Sequence, residues 1–140
     1  MQFTKKAAVL TAGVALFAGL GLTGTTAHAA GTAGAGVLAC STSNAVTPIP
    51  TAKVDTITIE LRYSTSSRCA WGRITTADPG DQVWVDRSSD GGRTWAGPWG
   101  VTTVQSGTDT HTPAYNDAGY KMRACAKNDS TGHVHCTGWY

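Results

Sequence analysis

Beyond residue 30 no stretch of ten residues shows helical periodicity, whereas several short runs alternate apolar and polar side chains. Ile57, Ile59, Leu61 and Tyr63 alternate with Thr56, Thr58, Glu60 and Arg62, a period of two that sends one set to a core and the other away. Ser64–Arg68 reads as a turn. Cys69–Thr75 resumes a strand with Cys69, Trp71 and Arg73 on one side. Asp78-Pro79-Gly80-Asp81 is a strong turn signal. Gln82–Arg87 then places Val83 and Val85 on one face and Trp84 on the other. A turn at Asp90-Gly91-Gly92 leads into Thr94–Thr103, and Gln105–Thr110 and Asp117-Ala118-Gly119 are further turns. Tyr120–Lys127 and His133–Tyr140 read as a closing hairpin. Short strands with turn signals every 8–12 residues predict an all-β fold, a small antiparallel β-sandwich or barrel.

The first thirty residues follow a different rule. Lys5-Lys6, an uncharged apolar run over Ala7–Leu22, and the small-x-small site Ala27-His28-Ala29 have the order of a secretory signal peptide. Residues 1–29 are therefore expected to be removed, 30–53 to form a flexible segment anchored by Cys40, and 54–140 to form the β domain. Cleavage after Ala29 would leave 111 of the 140 residues, room for one domain. It also removes two of the 11 basic residues, leaving nine against nine acidic ones. That balance predicts no nucleic-acid partner, because such binding rests on neutralising phosphates, and it argues equally against an acidic-polymer partner. No membrane association is expected once the signal is gone, and a secreted, extracellular monomer is the expectation.

All four cysteines, Cys40, Cys69, Cys125 and Cys136, follow the export segment. An even count in an oxidising compartment reads as disulfides, with three possible connectivities. The short, turn-centred spacing of the last two predicts Cys125–Cys136, which leaves Cys40–Cys69. No CxxC pair is present, so a cysteine zinc site is not expected.

Ser88-x-Asp90-x-Gly92-x-Thr94-Trp95 resembles the Asp-box of sialidases and other secreted β proteins. Its chemistry is local: Ser and Asp oxygens accept turn N–H groups, glycine supplies positive φ, and Trp95 is expected to fold under the hairpin. The resemblance implies a folding motif remote from catalysis, and a single copy excludes a sialidase propeller. Glu60-Leu61-Arg62-Tyr63-Ser64 followed by Cys69-Ala70-Trp71-Gly72-Arg73-Ile74 resembles the YjfA-like family of small exported bacterial proteins, a domain of unknown function. The resemblance covers roughly Thr56–Val85 and implies export and fold, with no assigned activity.

Candidate chemistry is sparse. His133 and His135 flank Val134 on one strand, so both imidazoles are expected to face outward while Val134 and Cys136 face inward. With His111 they form a conceivable metal set, but a polar strand face is the expected role, and no metal or cofactor is expected. Glu60 is the only glutamate. With Arg62 or Arg73 and His111 or His133 it could furnish the acid–base set of a small secreted hydrolase such as a nuclease, although the spacing does not demand one. No nucleophile elbow or Cys–His signature is present.

The five tryptophans carry more weight in so short a chain. Either every ring is core, or some are exposed for recognition. Phase makes Trp84 the first candidate for exposure and binding, and Trp99, after Gly97-Pro98, the second. The expected function is a secreted, non-catalytic binding protein whose ligand is a polysaccharide or another secreted protein. The alternatives are a protease inhibitor, a small hydrolase and a structural envelope protein.

Overall fold

The computed structural model describes residues 39–140; the expected signal peptide, its expected cleavage site and the segment before Ala39 lie outside them. The strands are β1 (Ala45–Val46), β2 (Ala52–Val54), β3 (Ile57–Ser64), β4 (Cys69–Thr75), β5 (Gln82–Ser88), β6 (Ala96–Thr103), β7 (Thr110–His111), β8 (Tyr115–Asn116), β9 (Lys121–Lys127) and β10 (Val134–Cys136). No helix occurs among the described residues. The first sheet is built on the β3–β4 hairpin. Short β1 and β2 line the free edge of β3, and short β7 and β8 line that of β4. The second sheet runs β10-β9-β5-β6, and every pairing in both is antiparallel. The two sheets pack as a sandwich and neither closes on itself.

Alternation produces the core. Ile57, Ile59 and Leu61 of β3 and Ala70 and Ile74 of β4 meet Val83, Val85, Met122, Ala124 and Ala126 of β5 and β9, all fully buried. Small residues set the spacing at the centre. A methyl group at Gly72 would lie 3.1 Å from Val83 Cγ2 and 3.3 Å from Ala124 Cβ, so this contact has no room for a larger side chain.

Regular structure begins earlier than the sequence pattern suggests. β2 pairs with β3 as Ala52↔Ile59 through Val54↔Ile57, around a turn where Asp55 adopts φ 52°. A three-residue strand is too short for periodicity to detect; its pairing with the longer β3 creates it.

Both disulfides are present, Cys40–Cys69 and Cys125–Cys136, with Cα separations of 5.6 and 4.0 Å. Their placement revises one expectation. Cys125 is the register partner of Trp84, out of phase with Val83 and Val85, so the second disulfide lies on the outer face of its sheet and not in the core. Val134 likewise does not face inward and is exposed. The reason lies in the last residues. Thr137 N–H donates to the Ala124 carbonyl (2.8 Å) and Tyr140 N–H to that of Met122 (3.0 Å), so the chain end runs back along β9. That return pairs along the edge of β9 and places Trp139 against Arg123 on the outer side, the same side on which Cys125 is fully buried.

Candidate functional site

The turn after β5 is closed by its own side chains. Ser88 Oγ accepts the Gly92 N–H (2.8 Å), and Asp90 Oδ1 accepts from Thr94 N–H (2.9 Å) and Ser88 Oγ–H (2.8 Å). Asp90 Oδ2 accepts from Thr94 Oγ1–H (2.7 Å). These donors, the Thr94 backbone N–H first, hold the Asp90 carboxyl down to about 2. Gly92, at φ 95°, needs its missing side chain twice over: a Cβ there would sit 2.6 Å from Trp139 Nε1.

That contact explains a reversal. The indole beneath the turn belongs to Trp139, and Trp95, expected there, is 54% exposed with its ring centroid 6.1 Å from that of Trp139. Trp84 points away from Val83 and Val85 as its phase requires, but it is only half-exposed, and the Cys125–Cys136 disulfide lies on its face. Trp99 is half-buried and packs against the core and Tyr115, ring centroids 5.6 Å apart. The accessible tryptophan is therefore Trp95, with Tyr120 (41% exposed) nearby.

Two arginines organise these rings. The Arg123 guanidinium carbon lies 4.4 Å from the Trp95 centroid and 4.6 Å from that of Trp139. Arg123 is neutralised by buried Asp86, whose Oδ2 accepts from Nε–H (2.9 Å) and lies 2.9 Å from Nη2. Gly97 has to be glycine here, since a Cβ would collide with Asp86 Oδ1. The guanidinium carbon of Arg87 lies 4.1 Å from the centroids of both Trp99 and Tyr120. Its one hydrogen bond among the described residues is a long one, Nη1–H to the Asn116 carbonyl (3.4 Å), and it makes no ion pair. A cavity of ≈ 280 Å³ opens beside it, lined by Arg87, Ser89, Thr94, Trp95, Ala96 and Tyr120. Nothing in the hydrophobic pattern marks this site. Arg87 falls on the core-facing phase of β5, next to Val85, and an arginine at an inward position was the available signal.

The candidate acid–base residues separate into two places. Glu60, Arg73 and His111 are register partners across β3, β4 and β7 and so form one row on the outer face of the first sheet. Glu60 Oε2 is buried without a hydrogen bond; it has charge contacts alone, at 3.6 Å to Arg62 and 3.5 Å to Arg73. Arg73 also approaches Asp109 (3.5 Å). His111 Nδ1–H donates to the Thr112 carbonyl (2.9 Å), which leaves Nε2 outward. His133 lies elsewhere, donating from Nδ1 to Asp55 Oδ1 (3.0 Å) and lowering that carboxyl's pKa. His135 is exposed on the edge strand β10, paired with Ala126 of β9. Asp86, Cys125 and Cys136 bring three ligand-type side chains together, but both sulfurs are committed to the disulfide and cannot act as thiolates.

A family model described as a protein of unknown function, DUF2690, matches residues 31–126. That stretch exceeds half the chain and includes Arg87, Trp95, Trp99 and Tyr120; the chain belongs to this family. No curated protein and no solved structure matches it.

Proposed function

We propose that this member of the DUF2690 family is a secreted, non-catalytic binding protein that takes a polysaccharide in the cleft between Trp95 and Tyr120. The observation that carries the reading is two exposed aromatic rings flanking one cavity that also presents Arg87, Ser89 and Thr94. A sugar ring has an apolar face that stacks on an indole or phenol and an edge of hydroxyls that needs hydrogen-bonding groups, and this cleft offers both. In this reading the Ser88–Trp95 turn is an Asp-box serving as a scaffold. The YjfA-like succession over Thr56–Val85 belongs to the β3–β5 framework, away from the ligand. Secretion rests on the export-type residues 1–29 and on the two disulfides.

The test is binding to a panel of soluble and insoluble polysaccharides, with Trp95→Ala as the diagnostic variant. Loss of an aromatic anchor should weaken binding tenfold or more, about 1.4 kcal/mol, with the melting temperature nearly unchanged. Binding that survives Trp95→Ala intact, or no binding to any member, would refute the cleft.

A second reading has one observation behind it. The Glu60–Arg73–His111 row places a carboxylate, a guanidinium and an imidazole across three adjacent strands, an arrangement suited to acid–base cleavage of a phosphodiester. Incubation with RNA would decide it: cleavage abolished by both Glu60→Gln and His111→Gln favours a hydrolase, and no cleavage removes this reading.

A further inference from the structure

Although the balanced charge expected of the mature chain argues against acidic polymers in general, we infer from one local, unpaired cation that the ligand of the Trp95–Tyr120 cleft is an acidic polysaccharide and that Arg87 receives its carboxylate. This deepens the glycan-binding reading and rests on it. Arg87 is a half-buried cation whose two nearest rings, Trp99 and Tyr120, both lie 4.1 Å from its guanidinium carbon. Stacking occupies the faces of a guanidinium and leaves its N–H groups in the plane, directed outward from the edge. Of those donors, only Nη1 has an acceptor among the described residues, and at 3.4 Å that bond is weak. No carboxylate among the described residues lies within ion-pair distance of Arg87, whereas the equally ring-packed Arg123 has Asp86 at 2.9 Å.

The charge is therefore held in place, partly desolvated and unneutralised at the wall of an open cavity. A planar carboxylate meets such an edge with two parallel hydrogen bonds, and displaced water strengthens both. The neighbouring acid does not compete. Asp90 directs its oxygens into its own turn, where Thr94 and Ser88 occupy them. The aromatic walls supply the rest of the specificity: Trp95 and Tyr120 suit the face of a pyranose, and Ser89 and Thr94 suit its hydroxyls. A uronate unit combines these features in one residue of a polymer.

The experiment uses the mature secreted protein and three acidic polysaccharides, polygalacturonate, alginate and hyaluronate, each paired with its carboxyl-reduced neutral form. Titration calorimetry should show at least one acidic polymer bound tenfold or more tighter than its reduced partner. Arg87→Gln should erase that preference, and Arg87→Lys, which keeps the charge and loses the planar fork, should restore part of it; melting curves establish that each variant is folded. Equal binding of an acidic polymer and its reduced form would overturn the inference and leave the glycan-binding reading intact. A preference that persists in folded Arg87→Gln would remove Arg87 from the site. Absence of binding to all six polymers alongside binding to another polysaccharide of the wider panel would overturn the inference alone; absence of binding across the whole panel, or capture of an acidic protein in its place, would overturn both.

Discussion

Arg123 and Arg87 sit in nearly the same company and have different consequences. Each places its guanidinium against two aromatic rings, Arg123 against Trp95 and Trp139, Arg87 against Trp99 and Tyr120. Arg123 is also gripped by a buried carboxylate, and its charge is cancelled inside the fold. Arg87 has no such partner among the described residues and borders the cavity. The contrast separates an arginine that holds the molecule together from one left available to a ligand. A paired, desolvated cation is a structural element, and an unpaired one is an opening for an anion. Trp95 belongs to both regions, one part of its ring on Arg123 and the rest exposed at the cleft.

The comparison breaks most visibly if Asp86 is dispensable. Asp86→Ala leaves Arg123 without its buried counter-charge and should cost about 3–5 kcal/mol, the range for removing one partner of a buried pair. Urea denaturation measures it, and a loss below about 1 kcal/mol would place the pair among ordinary surface ion pairs. Trp84→Ala should come next. Its half-buried indole lies across from Cys125, so the substitution should lower stability by about 2–3 kcal/mol, somewhat less than a fully buried ring, without changing the affinity for a glycan. A stable variant that lost binding would return Trp84 to the ligand site.

Asp90→Ala should lower the melting temperature by removing the acceptor that closes the turn, by less than either substitution above, again with binding retained. The same carboxyl makes a pH prediction. Its pKa is 3.8 in the reference state and about 2 in the fold, depressed, so its contribution is present above pH 3.8 and is lost as the pH falls toward 2. Acid titration of stability in wild type and Asp90→Asn should diverge above that window and converge below it. Identical profiles would mean that the turn's hydrogen bonds do not depend on the carboxylate.

How far these residues could be read without coordinates varies by region. The alternation over Ile57–Tyr63 and around Val83–Val85 places the core residues correctly, because a buried face imposes its period on any strand long enough to show it. The turns at Ser64–Arg68 and Asp78–Asp81 are equally visible, since they use residues whose backbone and side-chain chemistry favours them locally. The site was not readable in this way. Phase sends Trp84 outward, but phase carries no information about what else lies on that side, and here the Cys125–Cys136 disulfide shares it. Trp95 and Trp139 changed places under the turn for the same reason, through a contact between residues 47 positions apart for Gly92 and Trp139.

By itself the amino-acid sequence determined an all-β chain, the inward and outward faces of β3, β4 and β5, and a self-satisfied turn at Ser88–Thr94. These depend on neighbours in the chain, on period and on turn chemistry, which are local properties. Only the tertiary structure decided which tryptophan meets solvent and which arginine acquires a counter-charge. Both outcomes depend on segments far apart in sequence arriving at one face, and a buried charge can be neutralised only by a partner that folding brings within reach.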